Sequence, residues 1–160
     1  MFASRYQNFR GNLKIERRYI DRASSDSLDG VTFAFVCVDR GTARSEIFDL
    51  LIELGIPFID VGMGLSDNTG SLSGMLRVTS FAVDDAARVR DAGHADLGDR
   101  EEDLYRRNTQ ISELNALNAA LAVIKYKQLR AFYSDSEPCN HFLFDIADLS
   151  IVTHSTVDAL

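Results

Sequence analysis

The chain has 160 residues, 46% of them hydrophobic and 26% charged, which is the balance of a globular domain and excludes a disordered one. A chain of this length buries about two thirds of the surface its unfolded form exposes, enough for one core, so residues 1–160 are read as a single domain. Acidic residues outnumber basic ones 24 to 17 for a net charge of -7; a phosphate-binding surface needs the opposite excess, which argues against nucleic acid as a partner.

No run reaches the roughly 18 apolar residues that a membrane-spanning helix requires, and Met1 to Tyr6 lacks a signal-peptide core. A cytoplasmic location and no membrane partner are expected. The two cysteines form no CxxC pattern, so no zinc site is expected. Cys37 lies in an apolar run and reads as a small core residue; Cys139 follows Ser136-Glu-Pro138 and reads as a loop residue.

In chain order, Phe2, Tyr6 and Phe9 share one stripe of a short helix ended by Gly11. Asn12 to Asp21 alternates loosely and predicts a strand, carried by Lys14 to Ile20. Residues 23–30 predict a loop or a short helical turn. Val31 to Val38 is a continuous apolar run, as expected of a central parallel strand covered on both faces. After Asp39-Arg-Gly, Thr42 is a candidate N-cap and Glu46 is placed in the first helical turn. Ile47, Phe48, Leu51, Ile52 and Leu54 give the helix a wide apolar face, Gly55 suits its C-cap, and Ile56 to Val61 reads as a second strand. Strand, helix, glycine and strand within 31–61 predict a right-handed βαβ unit with parallel strands.

A glycine-rich loop is expected from Gly62 to Ser71, then a strand over Leu72–Val83. Residues 84–108 read as a charged crossover segment with short helices. Gln110 to Phe132 is the longest predicted helix, with Ile111, Leu114, Leu117, Leu121 and Ile124 on one face and Asn115 and Asn118 as candidate buried hydrogen-bond donors. Ser134 to Pro138 predicts a turn, Phe142 to Ile146 a last strand, and the tail after Ser150 is expected to fray.

Asp39 closes the first strand of the βαβ unit. Ligands of open α/β sheets bind outside the carboxyl ends of strands, so this carboxylate is a candidate Mg²⁺ ligand; a helix cap is the simpler alternative. Arg44, one turn into the helix, is placed to reach Asp39 or a phosphate, or else to sit on the surface. Gly62 and Gly64 begin a G-x-G-x-x-G pattern that Asp67 breaks, and no G-x-x-x-x-G-K-[ST] occurs, so Gly62, Gly64, Gly70 and Gly74 read as glycines that allow tight turns and close backbone approach. His94, His141 and His154 are far apart in sequence and show no metal or base spacing.

Phe35-Val-Cys-Val-Asp39-Arg-Gly-Thr-Ala-Arg44, followed by Gly55-Ile-Pro-Phe-Ile-Asp-Val-Gly62, resembles the ThiF/MoeB/HesA family of enzymes that activate ubiquitin-like proteins. The helix beginning Asn108-Thr-Gln-Ile-Ser-Glu and the segment Phe2-Ala-Ser-Arg-Tyr also resemble pieces of that family, over roughly residues 1–147. The resemblance implies a Rossmann-like α/β fold with a mostly parallel sheet and flanking helices, corresponding to the C-terminal half of such an enzyme. It further implies ATP and Mg²⁺ as cofactors, and adenylation of the C-terminal glycine of a ubiquitin-like or sulfur-carrier protein. Val38 and Asp39 would then lie at the nucleotide, Asp39 on Mg²⁺, with Arg44 in support. The family's glycine-rich nucleotide turn has no counterpart in this sequence, and 84–107 holds no catalytic cysteine. The expectation is a part that is inactive alone, completed by a nucleotide-binding half or by a homodimer partner; the alternative is a non-catalytic module for dimerisation or carrier binding.

Overall fold

The computed structural model describes residues 5–6, 8–67, 70–95 and 111–154. Strands β1 (Ala34–Val36), β2 (Phe58–Asp67), β3 (Leu72–Phe81), β4 (His141–Asp145) and β5 (Ser150–His154) form one sheet in sequence order. Helices α1 (Gly41–Glu53) and α2 (Ala86–Asp91) serve one face, and α3 (Ser112–Leu129) serves the other.

The β1–α1–β2 unit is present, with β1 and β2 parallel and Ala34 opposite Phe58. All other pairings are antiparallel. The expectation of a mostly parallel sheet is therefore corrected: only the first pair is parallel. The cause is the segment after Val61. Its glycines were assigned to a loop, but β2 continues straight through Gly62 and Gly64 to Asp67 and folds back as a long hairpin onto β3. An antiparallel return needs only a short turn, whereas a parallel one needs a crossover.

Alternation along β2 sorts its side chains. Phe58 faces α1 and α2, where Phe48 and Phe81 meet it at ring-centroid distances of 4.9 and 4.3 Å. These three rings are fully buried with Val36, Leu51, Ala86 and Val89. Each such aromatic pair adds about 0.5–1.5 kcal/mol beyond the area it buries. Ile59 points the other way and packs with Val78, Phe142 and Ala122 of α3. Tyr126 of α3 holds β1 through Phe33 and Phe35, at 4.6 and 5.6 Å.

Helix α1 ends as its sequence predicts. Gly55, at φ +63°, donates to the carbonyl of Ile52, and Ile56 donates to that of Leu51. These are the paired bonds of a Schellman motif, with Ile56 and Leu51 meeting in the core. Its start differs. Arg40 is the N-cap, without a side-chain cap bond, so Thr42 lies inside the helix and no acidic residue occupies the first turn.

Other expectations shift. Residues 14–20 form no strand; Leu13, Ile15 and Tyr19 stay exposed, because an alternating segment is stable only beside a neighbour that pairs with it. The short turn at 23–30 is a 3₁₀ helix over Ser25–Leu28. The apolar run from Val31 narrows to three paired residues, with Phe35 and Cys37 exposed because β1 is the outermost strand. Cys37 is thus no core residue. Instead of fraying, residues 150–154 form β5, paired with β4. The predicted helix at Phe2 and most of segment 84–108 lie partly or wholly outside the described residues. No helix among the described residues is long and apolar enough to cross a membrane.

The β2–β3 hairpin depends on a glycine that the sequence does not distinguish from its neighbours. At Gly74, φ is +150°, and a Cβ there would lie 2.1 Å from the carbonyl oxygen of Gly64. Gly55 also has positive φ but faces open space. Gly55→Ala should cost about 1–2 kcal/mol, the left-handed backbone penalty alone. Gly74→Ala adds a backbone collision and should cost clearly more; denaturant melts of the two variants measure the order.

Candidate functional site

Three charged side chains converge where the carboxyl end of β1 lies beside the first residues of β2. Asp60, on β2, is fully buried. Arg77 of β3 donates from Nη2 to Asp60 Oδ2 at 2.5 Å, and Arg44 of α1 places Nε 3.2 Å from Oδ1. That second contact is a close ion pair without hydrogen-bond alignment. Arg44 Nη2 also donates to the carbonyl oxygen of Val38. Burial pushes the Asp60 carboxyl above its ordinary value, while Arg77 and then Arg44 pull it back.

The local sequence explains the convergence. Arg44 lies one turn into α1, so its side chain runs back along the helix toward the end of β1. Arg77 pairs in register with Gly62 rather than with Asp60. It reaches Asp60 by lying across Gly62, where a Cβ would stand 2.6 Å from its Nη2. Gly62 is therefore not a turn former; its missing side chain is the floor on which the Arg77 guanidinium rests.

The charged group extends as a row across the sheet. Register aligns Val36, Asp60, Thr79, His141 and His154 as consecutive cross-strand partners. Arg77 Nη1 donates to Thr79 Oγ1 at 2.9 Å, and Thr79 Oγ1 lies 2.9 Å from His141 Nδ1. The His94 ring stacks on His141 at 4.3 Å with an 11° interplanar angle. Two of the histidines read as unrelated in the sequence thus meet in space. On the other face Asn118 donates to the Gly62 carbonyl at 2.9 Å, beyond the point where β1 ends. Asn118 is buried as anticipated, while Asn115 is exposed.

Asp39 is exposed in the bend between β1 and α1 and takes part in no side-chain hydrogen bond or ion pair among the described residues. It is not the N-cap of α1. Arg44 is not a surface residue: it is buried, and it turns to Asp60 and Val38 rather than to Asp39. The Val38 carbonyl is thereby occupied. Asp60 and Arg77 were not singled out from the sequence; the available signal was an acid in an otherwise apolar strand, Ile56-Pro-Phe-Ile-Asp60-Val, which must find a cationic partner when buried.

Among the described residues no three His, Cys, Asp or Glu side chains gather to hold a metal ion. A single exposed carboxylate at a strand end is still enough for Mg²⁺ carried by a nucleotide, because phosphates and water supply its other ligands. The phosphates themselves find no glycine-rich backbone cradle in this sequence. Asp39 could supply one oxygen ligand to such a metal, while the described residues show no built phosphate site. Neither a scan of family models nor a comparison with curated proteins finds a match to this chain.

Two outcomes follow from this geometry. Asp60→Ala strands two buried guanidinium groups and should cost about 3–5 kcal/mol, whereas replacing Arg44, Asp60 and Arg77 together by apolar residues of similar volume should restore most of that loss; urea melts of both variants decide it. The Cys37 thiol is pushed upward by desolvation first, then by Asp60 and Asp39. Its alkylation by iodoacetamide should reach half-maximal rate above the usual thiol value of about 8.5, and Asp39→Asn should move that midpoint down.

Proposed function

We propose that this domain is the carrier-side part of an ATP-dependent adenylyltransferase that activates the C-terminal glycine of a ubiquitin-like or sulfur-carrier protein, and that it is inactive alone. The observation that carries the reading is the β1–α1 turn. Asp39 stands free and exposed at the carboxyl end of a parallel strand, five residues before Arg44, whose guanidinium is drawn back under the same strand end. This is the Asp-to-Arg spacing of the ThiF/MoeB/HesA pattern. Open α/β sheets commonly receive ligands outside the carboxyl ends of parallel strands, which supports the reading.

When bound, Mg-ATP supplies an adenylyl group that turns an unreactive carboxylate into an acyl adenylate, with pyrophosphate leaving. Within this chain, Asp39 holds the metal from the strand end. Arg44 supports the site indirectly: by donating to the Val38 carbonyl it fixes the bend that aims Asp39 outward. Asp60 in turn fixes Arg44. The cradle for the phosphates belongs to a nucleotide-binding half that continues the sheet past β1. One feature supports that arrangement: β1 lies at the edge of the described sheet, and Phe35 is left 44% exposed there.

The second reading, a non-catalytic module for dimerisation or carrier binding, is favoured by the same missing phosphate cradle. Titration calorimetry separates the two. The 160-residue chain alone should bind Mg-ATP weakly or not at all, and micromolar binding would contradict the division of labour proposed here. In an assembly with a complementing half, Asp39→Ala should slow carrier-dependent pyrophosphate exchange by several kcal/mol of transition-state stabilisation. The melting temperature should barely move, since Asp39 caps nothing and touches no partner. Normal exchange in that variant would return the domain to the non-catalytic reading.

A further inference from the structure

We propose that the C-terminal end of α3 and the turn after it form a docking site for an acidic segment of a partner protein, one that sets carboxylates beside large apolar side chains. The argument starts from the way α3 stops. Ala131 follows the C-cap Arg130 at φ +54°, a left-handed conformation that glycine adopts freely and alanine does not. Ala131 N–H donates to the Gln128 carbonyl at 2.9 Å and Phe132 N–H to that of Lys127 at 2.8 Å, the paired bonds of a Schellman motif. In that motif the side chain at the place of Phe132 commonly packs on an apolar one at the place of Lys127. Here it meets an ammonium instead: Lys127 Nζ lies 4.9 Å from the Phe132 ring centroid and 5.2 Å from that of Tyr133. The two rings stand edge to face at 5.1 Å, Phe132 70% exposed and Tyr133 43% exposed, and neither joins a core cluster. The turn is also pinned from below, where buried Lys125 donates to Asp135 at 3.0 Å. A strained cap and a buried ion pair thus hold two aromatic rings out in water in one pose.

The charge around the rings identifies the occupant. Arg130 is exposed and lies three residues beyond Lys127, a spacing that makes the two neighbours on one side of the helix. Neither cation forms an ion pair among the described residues, in a chain whose net charge is -7. The acids that follow in sequence do not serve them: Asp135 is engaged by Lys125, and Glu137 pairs with no cation among the described residues. The helix dipole favours cations at a C-terminus, but it gives no reason to hold two rings in water beside them. Aromatic side chains and arginine are the residues that protein interfaces concentrate. An incoming carboxylate would meet the ammonium and the guanidinium while an apolar side chain next to it covers the rings, and the preset pose lowers the ordering cost of binding. A second copy presenting the same patch would oppose like charges, which disfavours self-pairing there. An anionic bilayer would attract two cations at this corner and repel the acidic remainder of the chain. The inference rests on this surface alone and stands independently of the proposed adenylyltransferase activity.

The test uses the full chain, immobilised, and a library of random peptides displayed on phage as the probe. The recovered peptides should be enriched in Asp and Glu next to Leu, Ile or Phe. Made synthetically, they should bind the chain in solution with an affinity that weakens as salt rises. That affinity should fall at least tenfold for Phe132→Ser, and at least tenfold for the double variant Lys127→Glu, Arg130→Glu. The charge-reversed protein keeps the test decisive if Phe132→Ser does not fold, and circular dichroism melts of both report whether the fold is retained. A selection that enriches nothing, peptides without acids, or equal affinity for wild type and folded variants would each overturn the docking site. So would vesicles of phosphatidylserine and phosphatidylcholine, or self-association in the ultracentrifuge, if either proved to be what the same variants abolish while peptide binding is unchanged.

Discussion

A carboxylate with no exposure to solvent must be neutralised by its surroundings, and the way Asp60 is neutralised organises this molecule. Two guanidiniums reach it from different elements: Arg44 from the helix that follows β1, Arg77 from the strand that follows β2. The interaction therefore joins the parallel part of the sheet to its antiparallel part at the residue where the first gives way to the second. β1 stops opposite Asp60, and past that point β2 is paired only with β3 among the described strands. The carboxylate marks a seam between two architectures and ties it shut on the α1 face, while Asn118 bonds the Gly62 carbonyl from the α3 side.

The cost of such a seam is paired with specificity. An apolar substitute of the same shape could match its stability, since buried ion pairs rarely outperform good packing. What an apolar substitute cannot do is direct the Arg44 side chain. Without Asp60, that side chain would lose the ion pair that helps hold it under the strand end with its Nη2 on Val38, and the bend carrying Asp39 would lose part of its support. The aromatic cluster of Phe48, Phe58 and Phe81 supplies cohesion on the same face but no comparable direction.

The sequence made the helix and strand periods legible and left the sheet's direction obscure. The α1 ending could be read from Gly55 because a left-handed residue after an apolar face has few other uses. The parallel pairing of β1 with β2 followed from a helix between two apolar runs. The error at residues 62–71 came from glycine's double meaning: Gly62 and Gly64 carry the same symbol as turn residues, yet both lie inside a strand, where Gly62 accommodates a guanidinium and Gly64 faces open space. Of the candidate site, Arg44 was visible through its spacing from Asp39, but its partner was not. Asp60 lies sixteen residues further along and Arg77 thirty-three, and nothing local to either announces a contact that only the sheet register creates. The meeting of His94 with His141 was hidden for the same reason, being a product of the α2 turn rather than of any motif.

Gly62 and Arg77 occupy one volume between them. In its observed pose the arginine crosses to Asp60 over the space that a side chain at position 62 would fill, and position 62 has no other evident need of glycine, since its φ is ordinary. The three positions 60, 62 and 77 are consequently a single inherited choice. A lineage that acquires a side chain at 62 must displace or shorten the side chain at 77, and where 77 then no longer reaches, an acid at 60 becomes a liability to be replaced by a neutral residue. Drift in this region should therefore proceed by coordinated exchange of all three, and a protein carrying Asp at the first, Ala at the second and Arg at the third marks a lineage caught midway.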